Sequence, residues 1–231
     1  MMTNPGRLEP PDFVYPRSPE CRMVQGPNDP RFLFLRPDPM PAYSASPSAR
    51  PATRFRPKAI ARHVLADYQL ELAGIHGPAH WLRVRTNGLA LARRTPGADS
   101  VVIEAFALLH DAHRIDDFRD LGHGERAADF ARALHQRGLL GLTDAAVEVL
   151  ADACAGHEHG QISNHPTIGC CWDADRLDLS RLERRPLEEY LSTRAARDAR
   201  VQRAAWRRGM SWHIDARGAA RWGIDPAVLE G

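Results

Sequence analysis

Thirteen of the eighteen prolines in this chain fall within its first 57 residues, and all eleven histidines fall after residue 57. Proline fixes φ and removes an amide donor, so the first segment cannot sustain a helix. Residues 41–51 are mostly Pro, Ser and Ala and have little apolar surface to bury. Residues 1–56 are therefore expected to form an extended or disordered arm. Within it, Arg31 to Arg36 reads as one short strand or a docking segment. Folding and chemistry are both expected from residue 57 onward.

Beyond that boundary the punctuation is helical. Pro57 and Pro78 sit where helices would start, and Gly97 and Gly138 where they would stop. Apolar residues at Ile60, Val64, Leu65, Tyr68 and Leu72 follow a helical period. The pattern predicts helices at about 58–73, 78–94, 99–111, 123–137, 144–158, 166–183 and 187–209, with a loop at 112–122. The third is apolar on most faces and should be central. Nothing alternates with the period of a strand and nothing repeats. The expected class is all-α: a helical body over 57–209 and a ragged tail over 210–231.

Whole-chain properties narrow the setting. A net charge of +2 does not argue for nucleic acid. Arginines at 194, 197, 200, 203, 207 and 208 line one flank of the last helix, but only Trp206 accompanies them. A stacking platform is not supported, and the flank reads as a solvated face. No apolar stretch reaches the roughly 18 residues of a membrane span, and no signal peptide is visible. The four cysteines form no CxxC pair, which suits a reducing cytoplasm. Cys154, Cys170 and Cys171 read as small buried apolar residues.

One constellation carries chemistry. An apolar run ends in His110-Asp111. His80 lies upstream on the second helix, with His76 four residues before it. His123 opens the fourth helix, His157 ends the fifth, and Asp175 lies on the sixth. Burying an unpaired ionisable pair is expensive, whereas imidazole and carboxylate together hold transition metals with positions left open. Helical bundles build such sites from one or two ligands per helix. His159 competes with His157 for the fifth position. His63, His135, His165 and His213 are read as surface or satisfied core residues.

The phrases His80-x-x-Arg-Val84, Leu108-Leu-His-Asp111 and Asp173-Ala-Asp-Arg-Leu-Asp178 resemble the HD-domain superfamily of metal-dependent phosphohydrolases over roughly residues 60–185. The resemblance implies an HD-domain-like helical bundle. It implies that His80, His110, Asp111 and Asp175 hold one metal, Asp175 being preferred over Asp173. In branches with two further histidines a second metal is bridged by the Asp of the pair, and His123 and His157 stand where those histidines fall. The Gly-Tyr-Pro element of the HD-GYP cyclic-dinucleotide enzymes is replaced by Gly160-Gln-Ile-Ser. The acidic element of alarmone hydrolases is replaced by residues 112–116.

The expected cofactor is a divalent transition metal (Mn, Fe, Co, Ni or Zn), one or two per chain. The expected reaction is hydrolysis of a small phosphoester with a metal-activated water; by the resemblance alone, the substrate is of nucleotide type. Asp111, His76 and Arg114 are the expected catalytic residues, with His76 as an outer partner or proton donor. Arg83 and Arg176 are expected to bind the phosphorylated substrate. Asp116 and Asp117 orient water, hold Arg114 or are ordinary loop acids. Two alternatives stand beside this reading: a mixed-valent di-iron oxygenase of the same superfamily, and a nucleotide-binding module without catalysis.

Overall fold

The computed structural model describes residues 54–229. The expected arm therefore lies outside the described residues but for residues 54–56, which lead into the first helix. Among the described residues every regular element is helical. None of these helices is long and apolar enough to cross a membrane.

The first helix, α1, runs Pro57–Asp67 with Pro57 at its first position and buries Ile60, Ala61 and Val64. It stops earlier than the apolar spacing suggests. Tyr68 turns to extended backbone, and its ring packs edge-on against Trp81 with centroids 5.0 Å apart. The chain then winds through tight turns to Gly77. A Cβ at Gly77 would lie 2.1 Å from the Leu72 carbonyl oxygen, so only glycine lets the chain enter α2 from this direction.

Helix α2, Pro78–Ala92, buries Trp81, Leu82, Val84 and Leu91 together with His80, Arg83 and Asn87. Helix α3, Ser100–Leu109, begins at Asp99, whose carboxylate accepts from the amides of Val101 and Val102. Every residue from Val102 to Leu109 is buried. As its apolar faces predict, α3 packs against neighbours on several sides, including α1 and α2.

Helix α4, His123–Gln136, packs its alanines at 127, 128 and 131 against α5, Asp144–Gly156. The two approach closely at one end. A Cβ at Gly124 would meet the Cys154 carbonyl oxygen at 2.5 Å. That missing side chain lets His123 stand beside His157, which opens the short 3-10 turn His157–His159. Helix α6, Pro166–Leu177, packs against α2 and α3 and runs into the 3-10 turn Asp178–Leu182.

Two expectations need correction. The stretch 187–209 is not one helix: Glu188–Tyr190 is a 3-10 turn and α7 spans only Ala199–Met210. The cause is Asp173, whose carboxylate accepts from the amides of Ser192 and Thr193 and from the Thr193 hydroxyl, each at 2.7 Å. Those bonds hold the segment in a turn until Asp198 caps α7. Nor is the tail ragged. Asp215 caps α8, Ala216–Trp222, which packs on α1 and α2 and buries Ala219 and Trp222, and Ile224 beyond it is buried too.

Candidate metal centre

Five helix ends and faces converge on one buried cluster. His80 comes from the first turn of α2, His110 and Asp111 from just past α3, and His123 from the start of α4. His157 comes from the end of α5, and Asp175 from α6. Two groups result, each able to hold an ion: His80, His110 and Asp175, and Asp111, His123 and His157.

Asp111 faces both groups. Its Oδ2 lies 3.5 Å from His80 Nε2 and 3.4 Å from His110 Nε2. Its Oδ1 lies 3.3 Å from His123 Nε2 and 3.7 Å from His157 Nε2. Asp175 Oδ1 closes the first group at 3.4 Å from His80 Nε2 and 3.9 Å from His110 Nε2. Asp111 is buried, while the Asp175 side chain keeps 23% of its surface and marks the open side.

The outer nitrogens explain the inward ones. His80 Nδ1 faces Asp178 Oδ2 at 2.7 Å. The Nδ1 atoms of His110, His123 and His157 face the carbonyl oxygens of Phe106, Asp120 and Cys154 at 3.2, 2.6 and 2.6 Å. Those oxygens accept, so each Nδ1 carries a proton and donates it outward. Four Nε2 atoms are left pointing inward. The paired ones come within 3.1 Å (His80 and His110) and 2.9 Å (His123 and His157) of each other.

The electrostatics point the same way. Burial pushes the Asp111 carboxyl up, but His110, His123, His157 and His80 pull it well below the usual carboxylate range. Burial likewise opposes ionisation of Asp175, and His80, His110 and His157 overcome it. Burial and Arg181 lower His80, yet Asp111, Asp175 and Asp178 raise it to about 9. Two anions at the centre draw positive charge, which His80 supplies as a proton and a bound cation would supply in its place. Asp111 Oδ1 is buried and has no hydrogen-bond partner, which is costly unless a cation satisfies it. This donor set fits a transition metal: four imidazoles and two carboxylates, one of them shared.

Residues that reasoning from sequence alone overlooked support the cage. Asp178 is fully buried and holds His80, while its other oxygen accepts from Arg83 Nε at 2.8 Å. Such a carboxylate fixes a ligand's tautomer and raises its basicity. The signal was present, since Asp178 lies three residues after Asp175 and so near the same helix face. Glu158 accepts from the amides of Gly122 and Gly124 and lies 3.2 Å from His123 Nδ1. Asp120 accepts from the Ile115 amide and from Arg126, pinning the 112–122 loop.

The remaining expected residues separate. Arg114 lies beside the cage, with Nη1 3.0 Å from His123 Nε2 and 3.6 Å from Asp111 Oδ1. His76 lies before α2 rather than on it, yet its ring centroid is 6.2 Å from that of His80. Its Nδ1 is 2.7 Å from Asp117 Oδ1, so Asp117 holds His76 and not Arg114. Burial, countered by Asp111, pushes His76 down to about 4. Arg83 is a correction: it is 1% exposed and committed to Asp178, so it supports the cage from behind rather than meeting substrate. Arg176 is another, being buried and donating to the Tyr190 carbonyl beside the Trp172 ring. Between His157 and His159, the structure brings His157 into the cage and leaves His159 exposed. Asp173 is spent on Ser192 and Thr193.

Comparison of the chain with protein-family models, curated proteins and solved structures finds no match. The site therefore has to be interpreted from its own chemistry.

Proposed function

We propose that this chain is a metal-dependent phosphohydrolase of HD-domain type that cleaves a small phosphoester. The observation that carries the proposal is the shared carboxylate. Asp111 turns one oxygen to His80 and His110 and the other to His123 and His157, as a dinuclear site requires. The chain order of the six residues and the resemblance of their flanking phrases support the same reading.

When bound, a divalent ion supplies Lewis acidity for a phosphoryl oxygen and lowers the pKa of a water toward neutrality. The chain's own residues do the rest. Asp111 and Asp175 fix charge at the cage, and Asp178 orients His80. Arg114 places a guanidinium beside the cage, where it offsets the negative charge of phosphoryl oxygens. His76 is neutral near pH 7, with Nδ1 held by Asp117. With its Nδ1 proton committed to Asp117, His76 serves as the expected outer partner that orients water rather than as the proton donor. The burial of the four histidines keeps bulk water from competing with substrate.

The shared carboxylate also favours a second reading, a di-iron oxygenase, since both chemistries use two adjacent ions. Metal analysis of the anaerobically purified protein, followed by parallel assays of phosphate release and oxygen uptake, separates them. Phosphate release from p-nitrophenyl phosphate that disappears in Asp111→Ala supports the hydrolase. Two irons per chain with oxygen uptake and no phosphate release would replace it with the oxygenase. Nucleotide binding without turnover of either kind would leave a non-catalytic module.

A further inference from the structure

The two ligand groups of the cage are not alike, and Arg114 is the difference. It stands three residues after Asp111, on the loop that joins α3 to α4. Its Nη1 lies 3.0 Å from His123 Nε2 and 3.6 Å from Asp111 Oδ1. Those two residues belong to the second group, which His157 completes. Its Nε donates to the Asp116 carbonyl at 2.9 Å, which fixes the plane of the guanidinium. On the side of the first group, Arg83 and Arg181 are turned to Asp178 instead.

His123 Nδ1 faces the Asp120 carbonyl at 2.6 Å and Glu158 Oε2 at 3.2 Å. Both oxygens are acceptors, so the ring proton stays on Nδ1 and Nε2 keeps one lone pair. That lone pair can accept from Arg114 or bind an ion, and it cannot do both. The guanidinium is permanently charged, so it also repels a cation held between Asp111 and His123. The side chain has room to withdraw. It keeps 12% of its surface, and Ile115 and Asp116 beside it are exposed.

We propose that Arg114 gates the second ion position. An ion joins Asp111, His123 and His157 when the guanidinium leaves His123, so the group of His80, His110 and Asp175 loads first. This rests on the two-ion reading given above, whatever reaction the ions serve. In the phosphoester reading, the withdrawn guanidinium is the one that meets a phosphoryl oxygen.

Titration calorimetry tests the gate, with manganese and in parallel zinc added to the full chain stripped by a chelator. Wild type should take up two ions, the second roughly tenfold or more weaker than the first. Arg114→Ala removes a hydrogen bond to His123 and a like charge, and should tighten the second ion roughly ten- to a hundredfold. The first ion should be unchanged. Arg114→Gln, which removes the charge and keeps a polar chain, should shift the second ion in the same direction. Arg126→Ala loosens the same loop through Asp120 and the His113 carbonyl and should give no tightening. Two ions in Arg114→Ala where wild type takes one would be the expected result in its strongest form. Second-ion affinity that is unchanged or weaker in both Arg114 variants would overturn the gate and leave the two-ion cage intact. Equal tightening in Arg126→Ala would overturn it in favour of a loosened loop. One ion in wild type and in both Arg114 variants would overturn the gate and the two-ion reading together, and no binding of either metal would remove the metal centre as well.

Discussion

Glu104 and Asp111 lie on and just beyond the same helix, both are buried, and the chain treats them in opposite ways. Glu104 is fully answered from within. Its Oε1 accepts from Arg85 at 2.9 Å, Arg221 at 2.6 Å and the Trp222 indole at 3.0 Å, and its Oε2 accepts from Arg221 at 2.9 Å. Burial raises the Glu104 carboxyl, but these partners outweigh it and hold the group below its ordinary value. Asp111 has four imidazoles around it at 3.3–3.7 Å and one oxygen, Oδ1, that accepts no hydrogen bond. A carboxylate that serves the fold is satisfied by the fold. One that is left wanting, among inward-facing nitrogens, is arranged for something the chain does not itself supply.

The largest effect that could break this contrast is at Asp111. Asp111→Asn keeps the volume and removes the charge. Metal content should fall to background, and any hydrolytic activity by roughly a thousandfold or more. The metal-free variant should lose no more stability than the loose imidazole and Arg114 contacts supply, because no hydrogen bond to Oδ1 is broken. A metal-free variant that melts well below metal-free wild type would show Asp111 to be a structural carboxylate after all.

Next comes Asp178, which sits between the two extremes. It is satisfied by Arg83 and His80, yet its purpose is the cage. Asp178→Asn should weaken metal affinity about ten- to a hundredfold, measured by competition with a chelator. Undiminished affinity would move Asp178 to the structural side of the comparison.

Glu104→Gln should do the reverse of Asp111→Asn. Stability should drop by about 2 kcal/mol in urea unfolding, since two arginines and an indole lose a charged acceptor, while metal content stays at wild type. The sign of its pH dependence follows from the depressed carboxyl. The Glu104 contribution is fully present above the unfolded-state value near 4.5 and is lost as pH falls through the lower folded value. The stability gap between wild type and Glu104→Gln should therefore be constant from pH 7 to about 5 and narrow below that. A gap that widens on acidification would contradict the assignment. The smallest effect is expected at His159, which is exposed. His159→Ala should leave metal content unchanged, in contrast to His157→Ala.

The six cage residues could be read from the chain because their identity and order carry the information. An adjacent His-Asp closing an apolar run has few structural uses, and Pro78 marks the helix start that carries His80. Rotation about a helix could not be read. Arg83 and Arg176 have the right spacing to reach the open side, yet Asp178 draws the first inward and the Tyr190 carbonyl holds the second. Long-range partners were equally hidden. Trp222 is an isolated apolar residue in a polar stretch, and only its burial beside Glu104 explains α8. Asp173 could break the 187–209 pattern only by reaching residues some way along the chain.

The most direct test is elemental analysis of wild type and Asp111→Asn, purified in parallel without air and again after metal is added back. The expected result is about two transition-metal ions per wild-type chain and none in the variant, with both proteins folded. Wild type that stays empty after metal is added back would contradict the claim that the converging histidines and the shared carboxylate form a metal centre.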